Sequence, residues 1–324
     1  MNLRTGRRWV QLATIGVGLT AIVAAAGAAS AAEQPAAPAA LRPAAPAPGQ
    51  PGAPVRGEVP GLTGEAAAKL AGGAATRFRE LTEQRVAAAR NSLAAETLHT
   101  AWGTAFSQPQ AQGIRGTLSV LTGAGTTTRG GEYIYSPTSL SPGGACIEIT
   151  TAYTPSGPLV WAWDWCGGNA GVGKAIAINS SFLSKYTTTV NGLPAYTFEV
   201  SKTDAATNAW TAYLFNYQTN AYETFYTSSG TYDLGETWFG WNMFEIYSDV
   251  EPSTGAGYYC TDMAGQSFDA SSIQVKLNGT WALATSANSY SYGNPPPPGS
   301  NFQCPKLTFA MDSPNNHWSA RIAR

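Results

Sequence analysis

The sequence predicts an all-β fold, an antiparallel two-sheet sandwich of jelly-roll or concanavalin-like type, preceded by an export signal, a Pro/Ala linker and one amphipathic helix. Three observations carry this reading. All 15 tyrosines lie between Tyr133 and Tyr292, and eight of the ten tryptophans lie at or beyond Trp161. Beyond Gly113, runs rich in β-branched and aromatic residues alternate with Gly, Ser, Asn, Asp and Pro clusters, the pattern of sandwiches and barrels. Four cysteines in a chain with an export-like start point to an oxidising compartment and two disulfides.

Taken in order, residues 1–32 read as a signal peptide. Arg4, Arg7 and Arg8 precede an apolar run from Leu12 to Ala26, then the small-residue stretch 27–32. That run is too short and too rich in Ala and Gly for a permanent membrane anchor. Residues 33–62 are Pro/Ala/Gly-rich with almost no large apolar side chain, so they read as a semi-stiff linker. In residues 63–100, Leu70, Ala74, Phe78, Leu81, Ala89 and Leu93 share a helical stripe, with a break near Gly72-Gly73. This helix either packs on the main domain or is a removable pro-segment. Residues 112–324 form the β-sandwich domain, long enough for a sizeable core. Its candidate strands are 114–121, 131–136, 145–153, 159–166, 174–178, 195–202, 209–217, 221–228, 237–248, 272–277, 280–284 and 304–310. The run 294–299 (Asn-Pro-Pro-Pro-Pro-Gly) is a loop, because proline cannot donate to a ladder.

Two hairpins carry the candidate chemistry. Pairing 146–153 with 159–166 about Ser156 sets Cys146 opposite Cys166 and Glu148 opposite Asp164, with Ile147, Ile149 and Thr151 against Trp165, Trp163 and Trp161 on the other face. A Cys146–Cys166 disulfide leaves Cys260 to pair with Cys304. Opposed carboxylates weaken a sheet. The pair therefore shares a proton as acid and base, holds Ca²⁺, or splays into solvent. The second hairpin, with a two-residue turn at Thr219-Asn220, sets Tyr217 opposite Tyr222 and Tyr213 opposite Tyr226, with Asn216 meeting Glu223 behind. Such a tyrosine ladder suits a sugar platform, since ring faces cover apolar C–H groups while hydroxyls hydrogen-bond. Equally it is ordinary sandwich packing. On 240–248, Trp241, Met243, Glu245 and Tyr247 share one face and Phe244 and Ile246 the other. A carboxylate between Trp and Tyr is placed for general acid work, or is a solvent-facing Glu edged by aromatics.

Several chemistries are disfavoured. Residues 131–324 hold 14 Asp/Glu against 7 Lys/Arg, a net of −7. An acidic domain argues against nucleic acid and anionic membranes as partners. With no CxxC pair and only His99 and His317, neither a zinc site nor a Ser-His-Asp triad is expected. No phosphate-binding loop, GxGxxG, HExxH or GxSxG occurs.

The run from Ala195 to Asp249, an extended strand, an aromatic hairpin and a strand ending in Glu245, resembles concanavalin-type β-sandwich proteins, the secreted glutamic peptidases among them. In that family a Glu on such a strand partners a Gln to activate water. The resemblance puts Glu245 in the Glu role. No Gln stands in the matching region, since 159–178 contains none and Gln218 lies in a turn. Asp164 or Glu148 would have to take that part.

The expectation is therefore a secreted, extracellular sandwich engaging a polysaccharide or other extracellular polymer. Tyr213, Tyr217, Tyr222, Tyr226, Trp241 and Tyr247 would supply stacking, while Glu223 and Glu245 accept hydroxyls. The alternatives are a hydrolase of glycan or peptide using Glu245 with Glu148 or Asp164, and a structural or partner-binding domain. No cofactor is expected beyond Ca²⁺ at the acidic pair.

Overall fold

The computed structural model describes residues 52–90, 98–123, 127–166, 170–234, 239–292, 296–297 and 300–324, without the side chains of 82–90 and 98–99. The expected signal peptide and most of the linker lie outside these residues.

The chain enters through Val55–Glu58 (β1) and Leu62–Thr63 (β2), then helices Gly64–Ala71 (α1) and Gly73–Arg90 (α2). Four residues read as linker thus form a strand, because β1 lies parallel to a hairpin edge further on. The helix breaks at Gly72, whose φ of +54° suits glycine. Ala67, Ala71, Ala74, Phe78 and Leu81 are buried, one stripe running across both helices.

Next come Leu98–Phe106 (β3), Gly113–Ser119 (β4), Tyr133–Leu140 (β5), Ile147–Thr154 (β6), Gly157–Asp164 (β7) and Gly171–Ala177 (β8). Helix Ser180–Tyr186 (α3) is capped by Asn179, whose side chain accepts from the Phe182 amide. Thr187–Val190 (β9) and Leu193–Asp204 (β10) follow, then Ala209–Asn216 (β11), Ala221–Ser228 (β12) and Gly240–Ser248 (β13). The chain ends with Tyr259–Asp262 (α4), Ser267–Leu277 (β14), Thr280–Leu283 (β15), Tyr290–Ser291 (β16), Leu307–Ser313 (β17) and His317–Ile322 (β18). Asn191-Gly192 and Asn278-Gly279 turn two of these hairpins with all four residues at positive φ, as two-residue type I′ turns require.

Two sheets result. Sheet A runs β1-β12-β11-β10-β4-β14-β18-β17, with β9 on β10 and β15 on β14; sheet B runs β16-β3-β13-β5-β6-β7-β8-β2. The fold is the expected β-sandwich. Every pairing is antiparallel except β1 with β12. Between the sheets, Phe244 of β13 meets Phe268, Phe309 and Phe302 at ring-centroid distances of 5.1, 5.6 and 5.9 Å. Ile147, Ile149 and Ile246 are fully buried there too. Disulfides Cys146–Cys166 and Cys260–Cys304 are both formed, as expected. No described helix is long and apolar enough to cross a membrane.

Both hairpin registers differ from expectation. In β6–β7, Thr154 pairs with Gly157 across a two-residue turn, so Glu148 faces Trp163 and Ile147 faces Asp164. Thr154 fixes that turn, its hydroxyl accepting from the Ser156 amide and donating to the Gly157 carbonyl. A one-residue slip exchanges faces. Glu148 therefore joins the tryptophans, and Asp164 joins the isoleucines on the inner side. The disulfide forms across this register, with the Cys146 and Cys166 Cα atoms 5.0 Å apart and the Trp165 amide continuing the ladder to the Cys146 carbonyl at 2.7 Å. In β11–β12 the side chain of Asn216 accepts from the amides of Gln218 and Thr219 and widens the turn, so Phe215 meets Tyr222 and Tyr213 meets Thr224. An irregularity at Phe225 then sets Tyr226 opposite Ala212, turning Tyr226 inward.

Candidate functional site

The outer face of sheet B gathers most of the candidate chemistry. On β13 the odd residues Trp241, Met243, Glu245 and Tyr247 point to this face, as their alternation requires. Register carries the face across the sheet: Trp241 lies beside Leu140, Leu140 beside Glu148 and Glu148 beside Trp163, while Glu245 lies beside Tyr135. Both glutamates are fully buried.

Glu148 is held by three donors. The Trp241 indole donates to Oε1 at 2.7 Å and the Thr138 hydroxyl donates to the same atom at 2.5 Å; the Trp165 indole donates to Oε2 at 3.0 Å. Thr138 also bonds Thr150 at 2.9 Å. A buried carboxylate is tolerable when its lone pairs are taken up in this way. Its visible work is to fix two indole rings at the floor of the face.

Glu245 shares the face two strands and two pleats away, on the order of 15 Å between backbones from strand spacing and rise. The two glutamates do not form a hydrogen-bonded dyad. The neighbour of Glu245 is Tyr135, whose hydroxyl is pushed well above its ordinary pKa, first by burial and second by the charge of Glu245. Tyr135 therefore stays a donor, and its hydroxyl donates to the Ala74 carbonyl at 2.7 Å.

Helix α2 closes this face. Phe78 enters a pocket of four rings, with centroids 4.9 Å from Trp163, 5.0 Å from Tyr135, 5.4 Å from Trp161 and 6.2 Å from Trp165. Full burial of such a ring stabilises the docked helix by about 1.5–3 kcal/mol. The Arg77 guanidinium sits 4.8 Å over the Tyr247 ring, and Arg79 donates to the Ala170 carbonyl. Gly73 abuts the Tyr133 hydroxyl, leaving no room for a side chain.

The other predicted site residues lie elsewhere. Asp164 is on the inner side, accepting from the Tyr226 hydroxyl at 2.9 Å, the Ser228 hydroxyl at 2.6 Å and the Cys166 amide at 2.9 Å. It ties sheet B to sheet A. With Glu148 and Asp164 on opposite faces, the adjacency that a shared proton or a Ca²⁺ ion required is absent. Glu223 accepts from Tyr186 and Asn216. Tyr213, Tyr217 and Tyr222 lie on the outer face of sheet A, where the Tyr217 hydroxyl bonds that of Thr197 at 2.7 Å. The ladder of four is thus three, and Trp241 and Tyr247 are not part of it.

Sequence reasoning missed Tyr135, Thr138 and Phe78 as members of the site. Phe78 was visible on the helical stripe, but no local pattern says which surface a stripe will cover.

With the geometry in hand, the chain can be set beside known proteins. No protein-family model and no curated protein matches the sequence. Among solved structures, scytalido-glutamic peptidase with a peptide-based transition-state analogue matches at a TM-score of 0.38 and 10% identity, covering 71% of this chain and 100% of that one. SCP-B, a member of the eqolisin family of peptidases in complex with the tripeptide Ala-Ile-His, matches at 0.36 and 10% over the same shares. The resemblance is to glutamic peptidases, and it is weak. The sandwich architecture rests on the strand order of the two sheets. The two disulfides fit an oxidising, extracellular setting.

Proposed function

We propose that the outer face of sheet B is the substrate cleft of an acid-type peptide hydrolase, held shut by the chain's own helices. One observation carries this reading: the occupant of the cleft is itself polypeptide. Phe78 fills the four-ring pocket while Tyr135 donates to the backbone carbonyl of Ala74, one turn away and beside Glu245. A substrate strand entering in place of α2 would present a large apolar side chain to the pocket and a carbonyl to Tyr135.

The chemistry follows from those two groups. Tyr135, kept protonated by burial and by Glu245, donates to the scissile carbonyl and stabilises the oxyanion as it forms. Glu245 takes a proton from the attacking water and returns it to the leaving amine as the C–N bond breaks. Glu148 touches no reacting atom; it positions Trp165 and Trp241.

The test uses the full chain and a casein and peptide panel from pH 3 to 7. Phe78→Ala should raise turnover at least tenfold by loosening the helix, with a preference for aromatic residues near the cut. Adding Glu245→Gln should abolish it, and adding Tyr135→Phe should lower kcat about a hundredfold, the scale of losing one oxyanion donor. An opened variant that binds peptide without cleaving it makes the cleft a binding groove. One that does neither sinks the reading. The carbohydrate alternative moves to sheet A, where Tyr213, Tyr217 and Tyr222 lie on one outer face with Thr197. Unchanged mobility in polysaccharide-containing native gels would remove it.

A further inference from the structure

On the far side of the molecule, three elements of sheet A bring together donors of a different kind. Asp269 on β14, Asp312 on β17 and His317 on β18 each offer one ligand atom, and these atoms all lie within 4.8 Å of one another. His317 Nε2 is 2.7 Å from Asp269 Oδ2 and 3.7 Å from Asp312 Oδ2. The Asn191 amide closes the ring, with Nδ2 3.1 Å from Asp269 Oδ1 and 3.2 Å from His317 Nε2.

The fold aims these groups at one point. Asp269 pairs with Ser319, two residues from His317 on the same face of β18. The ladder between β17 and β18 is irregular between Met311 and Ser313. Asp312 stands at that irregularity, where its Oδ2 accepts from the Ser319 hydroxyl at 2.7 Å and lies 3.7 Å from His317 Nε2. Asp269 is almost buried, His317 is half-open and Asp312 is exposed, so the cluster is reachable from solvent.

We infer that Asp269, Asp312 and His317 form a divalent-cation site of the zinc class, with the fourth position left to water. Zinc–ligand distances of about 2.1 Å place tetrahedral ligands about 3.4 Å apart. Two of the separations, 2.7 and 3.7 Å, bracket that value and no pair exceeds 4.8 Å, so side-chain rotation would bring all three donors onto one ion. One imidazole with two carboxylates suits Zn²⁺ or Mn²⁺ better than Ca²⁺, which takes oxygen ligands only. The two carboxylates balance the charge of the ion. The competing account is a plain His317–Asp269 ion pair, which needs neither Asp312 nor a metal. A bound ion would clip the C-terminal hairpin at the edge of sheet A to β14 and to the turn between β9 and β10. No CxxC or HExxH spacing announces such a set, because its members come from three strands.

The experiment is calorimetric titration of the chelator-treated full chain with Zn²⁺, Mn²⁺ and Ca²⁺, alongside thermal melts. The chain has two histidines, which makes assignment direct. One Zn²⁺ per chain should bind, at least tenfold more weakly in Asp312→Asn and His317→Ala and unchanged in His99→Ala. Zinc should raise the melting midpoint of the parent and not of Asp312→Asn, a change at an exposed side chain that leaves the fold intact. Absence of stoichiometric zinc binding, affinity unaltered in both site variants, or preference for Ca²⁺ would each overturn the assignment.

Discussion

The two outer faces of the sandwich start from the same strand alternation and end in opposite states. On sheet B the row holds tryptophans, Tyr135 and two glutamates, and a helix covers it. On sheet A the row holds Thr117, Thr197 and Tyr217, whose hydroxyls bond one another at 3.0 and 2.7 Å. There Arg115 lies under the Trp281 ring, 4.4 Å from its centroid, and bonds Gln274. On sheet A these hydroxyls and the guanidinium find partners on neighbouring strands. Sheet B leaves a wall of rings that must be covered, by helix or by ligand.

The largest test of this difference removes the plug. Phe78→Ala should cost the docked helix about 3–5 kcal/mol, the usual penalty for truncating a fully buried Phe. Because the sheets have their own core around Phe244, the loss should appear as local opening. Hydrogen exchange should quicken in α1, α2 and β8 while β10 and β14 keep their protection. Uniform acceleration throughout would mean that the helix belongs to the global core and is no lid.

A smaller effect compares one carboxylate on each face. Glu148→Ala removes a buried acceptor from the indoles of Trp165 and Trp241, at about 2–4 kcal/mol by denaturant midpoint. Glu199 on sheet A stands 3.9 Å from Arg115 and is 18% exposed. Glu199→Ala should cost no more than about 1 kcal/mol. Similar losses at both positions would contradict the contrast drawn between the faces.

How much of this was legible follows the same division. Local alternation on β13 put Glu245 with Trp241 and Tyr247 and sent Phe244 inward, because strand periodicity needs no knowledge of neighbours. The disulfide pairing was legible too: both cysteines close one hairpin, so Cys146–Cys166 forms even though the register that suggested it is one residue off. The facing of Glu148 and Asp164 was misread because a hydroxyl contact of Thr154 shortened one turn by a residue. Tyr226 was lost from the ladder to a single irregularity at Phe225. Both are one-residue events with sheet-wide consequences. Which face the stripe of Phe78 would cover is a long-range fact, as is the convergence of Asp269, Asp312 and His317.

The smallest effect concerns pH, at the end of the sheet where β5 and β13 begin and finish. Glu132 is buried, and its carboxyl is pushed up to about 7, first by burial, with Asp262 adding to the rise while the Ser248 hydroxyl and Arg129 oppose it. Asp262 is held below its ordinary value, chiefly by two hydrogen bonds from Arg129 at 2.6 and 2.8 Å. The signs differ. A carboxyl raised on folding binds its proton more tightly in the native state, so Glu132 costs stability progressively as pH rises from about 4.5 to 7. Asp262 contributes stability that is present above its unfolded value of 3.8 and disappears as pH falls below it. Together they place this cluster's best pH near 4–5, in acid. An isolated shift of this size would be worth about 3 kcal/mol; sharing of charge with Asp262 and the half-exposed Arg129 should reduce it to about 1–2 kcal/mol. Glu132→Gln keeps an acceptor for Ser248 and removes the titration. Its melting midpoint should match the parent at pH 4.5 and exceed it at pH 7.5. A variant that instead tracks the parent across that range would show that Glu132 is ionised throughout, with Arg129 rather than a proton balancing the two acids.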